Sequence, residues 1–70
     1  METTKIRMCK TDVDPINVDA LQTFSIGEPT LVPNKNNPRW NKLEFTIVNN
    51  EWVDAERLLK QHDIRFEILT

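Results

Sequence analysis

Between Leu43 and Ile68 the apolar pattern changes period twice with scarcely a residue to spare, and this segment constrains the fold more than any other. Leu43, Phe45 and Ile47 alternate with Glu44 and Thr46, the two-residue period of a strand with one buried face. Asn49 and Asn50 follow, and an asparagine ahead of a new periodic run is a favoured helix N-cap. From Glu51 to about His62, Trp52, Ala55, Leu58 and Leu59 fall at helical spacing, while Glu51, Asp54, Glu56, Arg57, Lys60 and Gln61 take the opposite face. Acids lead this run and Lys60 and His62 trail it, as the helix dipole favours, and Glu56 precedes Lys60 in a well-oriented i,i+4 pair. His62-Asp63 is then a minimal connection to a second strand, in which Ile64, Phe66 and Ile68 alternate with Arg65 and Glu67.

The lengths close, since about twelve helical residues rise about 18 Å and a six-residue strand covers about 20 Å. The helix therefore returns the chain to the level where the first strand began, and the two strands run parallel. A crossover of this kind commonly leaves a gap that another strand fills.

The preceding half of the chain supplies candidates. Ile6 and Met8 alternate with Lys5, Arg7 and Cys9 as a strand; Thr11 to Asp14 breaks it. Asp14-Pro15 places a capping residue before the residue best suited to a first helical position. Ile16, Ala20, Leu21 and Phe24 then predict a short helix over Pro15 to Phe24, with an irregular segment as the alternative because Asn17, Val18, Asp19 and Thr23 are poor helix formers. Ser25 to Pro33 holds Ile26, Leu31 and Val32 around Gly27 and Pro29; proline cannot donate to a ladder, so a strand here is an edge. Pro33 to Asn41, dense in Asn and Pro, is a loop.

The order strand, helix, edge strand, strand, helix, strand is that of a single α+β domain over residues 1–70, a split βαβ or ferredoxin-like sheet with both helices on one face. Its first and third strands are central and its second and fourth are edges. The alternative is a smaller α+β domain in which residues 15–32 wrap the sheet without a helix.

A chain of 70 residues buries only about 60% of its unfolded surface, so a stability of a few kcal/mol is expected. Cys9 is the sole cysteine, which excludes an internal disulfide and a cysteine-based zinc site. No apolar stretch is long enough for a signal peptide or a membrane span, which predicts a cytoplasmic protein without membrane partners. A formal charge of −2 gives no whole-chain attraction to nucleic acid.

Catalytic and metal chemistry find little purchase. Asp12 to Asp19, DVDPINVD, has clustered oxygens but Ile16 and Asn17 where a calcium loop needs a ligand and a glycine, so it reads as a solvated turn and helix cap. Cys9 and His62 lack a third group to orient the imidazole, and Ser25 lacks the glycines of a nucleophile elbow. With Gly27 alone, no phosphate-binding glycine pattern exists. The expectation is a protein that is not an enzyme and needs no cofactor or metal.

Alternation puts Lys5, Arg7, Cys9, Glu44, Thr46, Val48, Arg65 and Glu67 on the open sheet face, without an aromatic on which RNA bases could stack. The candidate contact residues are Lys35, Arg39, Trp40 and Lys42 in and after the loop, with Arg65 and Glu67 on the last strand. Trp and Arg are the residues most enriched in protein hot spots, and a Trp among cations also suits single-stranded nucleic acid; the bland reading folds Trp40 back over the core. A non-catalytic protein-binding module, a regulator or inhibitor, is the leading expectation, and a binder of RNA or single strands through the Trp40 loop is the second. The asparagine-rich, compact composition would also suit an accessory protein of a virus or mobile element. The last strand, an edge free of proline, is expected to admit either a partner's strand or a second copy as a homodimer, and a proline at Glu67 to block this if that N–H faces solvent.

Overall fold

A computed structural model describes residues 2–69. Its strands are β1 (Thr3–Cys9), β2 (Thr30–Val32), β3 (Lys42–Val48) and β4 (Phe66–Ile68), and its helices are α1 (Pro15–Phe24) and α2 (Trp52–Gln61). The strands form one sheet in the order β2-β3-β1-β4. Every neighbouring pair is antiparallel, so β3 and β4 run parallel with β1 in the gap between them. The central strands are β1 and β3, paired along their whole length from Thr3 opposite Val48 to Cys9 opposite Lys42. β2 and β4 are the edges.

The alternation reads out directly as burial. Ile6 and Met8 on β1 and Leu43, Phe45 and Ile47 on β3 are buried, and Leu21 of α1 with Ala55 and Leu59 of α2 covers them. Both helices thus share one face of the sheet, and no polar side chain is buried among the described residues. Trp52 and Phe66 close the core edge-to-face, with ring centroids 5.9 Å apart. The i,i+4 pair forms, Lys60 Nζ lying 3.7 Å from Glu56 Oε1.

Several local expectations are corrected. Residues 15–24 are helical throughout, so the irregular alternative is discarded. The buried side of α1 is Val18, Leu21 and Phe24, whereas Ile16 is 81% exposed. Ile16 lies five residues before Leu21, about 140° around a helix of 3.6 residues per turn, and cannot face the sheet with it. Asp14 is the N-cap residue of α1 but its side chain makes no capping bond. Asn49 and Asn50 do not cap α2 either; they form a 3-10 turn, Asn49–Glu51, that leads into it. The Asn49 side chain accepts from Thr4 Oγ1 at 2.7 Å and its backbone N–H donates to Glu2 O at 3.0 Å, tying the end of β3 to the start of β1.

The β2 edge is shorter than Ser25 to Pro33. Ser25 bridges to Ile47 and Thr30 pairs with Glu44, so residues 26–29 oppose only Phe45 and Thr46. The excess bulges outward through Gly27, whose φ of +71° is the left-handed region that glycine enters without strain. The other edge also departs from expectation. Leu69 N–H donates to Lys5 O at 2.8 Å, and Glu67 pairs with Arg7 two residues earlier, so the Glu67 N–H is directed at β1. The solvent-facing backbone groups of β4 are those of Phe66 and Ile68, and proline at Glu67 would damage the sheet itself.

Candidate functional site

The site begins with a loop that asparagines build. Asn34 Oδ1 accepts from the backbone N–H of Asn36 at 2.9 Å and of Asn37 at 3.2 Å. Asn37 Oδ1 accepts from Arg39 N–H at 3.0 Å, capping a 3-10 turn at Pro38–Trp40, and Asn41 Oδ1 accepts from Asn34 N–H at 2.9 Å across the loop's base. Asparagine side chains mimic backbone turns in this way, so a segment outside any ladder still has its donors satisfied. The Lys10 N–H donates to Asn41 O at 2.9 Å and fastens the loop to the end of β1. Trp40 is therefore held by a defined backbone while its side chain remains 57% exposed, which overturns the reading that folds it back over the core.

Trp40 stands over a groove of about 390 Å³ at the Cys9 end of the open sheet face. Lys42, Arg65 and Glu67 line the same groove with Arg7, Cys9 and Asp12. Four of the six residues singled out in sequence are thus brought together from the loop, β3 and the β4 segment. Lys35 and Arg39 are exposed on the loop and do not line the groove. Sequence reasoning missed Arg7, Cys9 and Asp12 as neighbours of Trp40. The signal was indirect: Cys9 lies opposite Lys42 in the β1–β3 register, two residues after Trp40.

Charge in the groove is largely compensated. Arg7 binds Glu44 across β1 and β3 through its Nη2 and through Nε at 2.9 Å to Glu44 Oε1. Lys42 Nζ lies 3.7 Å from Glu67 Oε1, spanning β3 and β4 over the top of β1. The Arg65 and Asp12 side chains, of opposite charge and both in the groove's lining, make no hydrogen bond or ion pair among the described residues. An exposed indole carried on a hydrogen-bonded loop beside charges of both signs can bury an apolar or aromatic group and orient it by hydrogen bonds at the rim.

Cys9 is half-buried and His62 exposed, and among the described residues no hydrogen bond joins them. Among the described residues no group of three His, Cys, Asp or Glu could hold a metal ion, and no helix is long and apolar enough to cross a membrane. Comparison with protein-family models, curated proteins and solved structures finds no match to this chain.

Proposed function

We propose that this chain is a non-catalytic protein-binding module whose contact surface is the Trp40 groove, acting as a regulator or inhibitor of its partner in the cytoplasm. The observation that carries the reading is the combination of an exposed Trp40 on a hydrogen-bonded loop with a groove in which two of three cations already have partners, Arg7 with Glu44 and Lys42 with Glu67. A Trp whose backbone is already ordered loses no backbone freedom when it is covered, which favours a hot spot. Phosphate, by contrast, would have to displace a carboxylate from two of the groove's three cations. The same reading takes the β2-β3-β1-β4 sheet with its two helices as the split βαβ, ferredoxin-like arrangement.

Single-stranded nucleic acid is the second reading, favoured by Lys35 and Arg39, which remain exposed beside Trp40 on the loop. Salt separates the two. Phosphate contacts release counterions and make affinity fall steeply as salt rises, whereas an indole in a protein pocket is much less sensitive. Tagged protein is used to capture partners from lysate with and without nuclease, at low and raised salt, beside Trp40→Ala. A protein partner retained after nuclease and lost on Trp40→Ala supports the module; material that disappears with nuclease supports the second reading.

A further inference from the structure

We propose that two copies of this chain pair through β4, antiparallel about a two-fold axis, with Phe66 opposite Phe66 and Arg65 of each copy opposite Glu67 of the other. The argument starts from the two edges of the sheet. β2 is flanked by Pro29 and Pro33 and follows an outward bulge, both of which blunt strand addition. β4 is short, with the charge of Arg65 beside it and that of Glu67 within it, but has neither proline nor bulge: its Phe66 and Ile68 backbone groups face away from β1, and Ile68 is 55% exposed on the helix side of the sheet.

Registers available to a symmetric pair differ in which charges they oppose. Centring the axis on Glu67 sets two carboxylates directly across from each other, and centring it on Arg65 sets two guanidinium groups together and Glu67 against Asp63. Centring it on Phe66 places Arg65 against Glu67 twice. Those two residues have their backbone groups turned toward β1, so across the new interface they form the non-hydrogen-bonded pair, in which side chains lie closest. Phe66 then exchanges N–H and C=O with its counterpart, and Ile68 N–H donates to Ile64 O of the other copy. The Ile64 N–H is already committed to Leu59 O at 2.9 Å, so nothing further is asked of it. The exposed Ile68 comes to lie opposite Ile64, extending the apolar layer across the junction.

The test is a concentration series by analytical ultracentrifugation, carried to roughly 1 mM because an edge this short supports only weak association. Wild type is expected to show a monomer–dimer equilibrium. Arg65→Glu and Glu67→Arg are each expected to weaken it about tenfold, since each turns two attractive cross-strand pairs into repulsive ones, and the double swap is expected to restore it. Ile68→Pro removes an outward-facing N–H and should abolish the dimer, with circular dichroism confirming the fold; Ile68→Lys, which keeps the backbone, is the second probe should the proline variant fail to fold. A protein monomeric throughout the series overturns the proposal, as does a dimer indifferent to the charge swaps or swaps that the double variant does not rescue. An edge that instead takes up an unrelated peptide strand while wild type remains monomeric also overturns it. Trp40→Ala should leave the equilibrium unchanged, which separates this outcome from the role of the indole, although Arg65 and Glu67 line the same groove.

Discussion

Leu59→Ala probes the layer on which the rest depends. Leu59 is completely buried on the inner side of α2, in the cluster that joins that helix to β1, β3 and Leu21 of α1. Deleting such a leucine costs about 2 to 5 kcal/mol, the spread reflecting how far the surroundings can collapse. Here a single layer of two short helices covers the sheet, and some collapse is open to it, so about 3 kcal/mol is expected. For a domain of this size each kcal/mol shifts Tm by about 4–8 °C, giving a fall of about 12–24 °C. Since total stability is itself a few kcal/mol, much of the variant should be unfolded at room temperature. Urea unfolding followed by the fluorescence of Trp52, which packs edge-to-face against Phe66, gives the midpoint. The control is Val53→Ala on the same helix: Val53 is 64% exposed and its truncation should stay within about 0.5 kcal/mol. A cooperative transition with an unchanged midpoint for Leu59→Ala would refute the assignment of the buried face.

Other perturbations test the loop, the bulge and the sheet face. Trp40→Ala should leave Tm within a few degrees of wild type, because so exposed a side chain contributes little to folding, while partner binding is lost; differential scanning calorimetry beside the capture assay checks both. Asn37→Ala removes the acceptor for Arg39 N–H and should cost about 1 kcal/mol while raising hydrogen exchange at Arg39 and Trp40, read by NMR. Gly27→Ala should cost about 1 kcal/mol even though nothing lies within 4 Å of the added carbon, since the penalty resides in the positive φ; chemical denaturation measures it. Glu44→Gln weakens the pairing with half-buried Arg7 and should cost about 1 kcal/mol, by the same assay.

The elements with a strong period were legible in the residues. β3, α2 and the alternation of β1 needed only the spacing of Leu43, Phe45, Ile47, Ala55, Leu59, Ile6 and Met8, since burial of one face decides them. What failed was finer and has common causes. Val13 is a buried core residue that periodicity overlooked because it sits in the break before α1. A signal existed: Val13 precedes Asp14 at the N-cap position and lines the same apolar groove as Val18, the spacing of a hydrophobic staple. The five apolar residues Ile16, Val18, Ala20, Leu21 and Phe24 of α1 can be joined into a helical stripe in more than one way, and tertiary contact with the sheet selects Leu21 as the centre and leaves Ile16 outside. Asn49 does not cap because Thr4 and Glu2, remote in sequence, offer it better partners. The groove was half legible. Trp40, Lys42, Arg65 and Glu67 were identified one by one, but their meeting with Arg7 and Asp12 depends on strand order and on a loop whose asparagine bonds no spacing rule encodes.

The central claim, that the Trp40 groove receives a protein, is tested most directly by titrating the captured, nuclease-treated partner into isotope-labelled protein and following the Trp40 indole and the Arg65 and Lys42 amides by NMR, at low and at raised salt. The account predicts perturbations concentrated on those three residues and Arg7, an affinity changing little between the two salt conditions, and no binding to Trp40→Ala. Perturbations centred elsewhere, or full binding by Trp40→Ala, would contradict it.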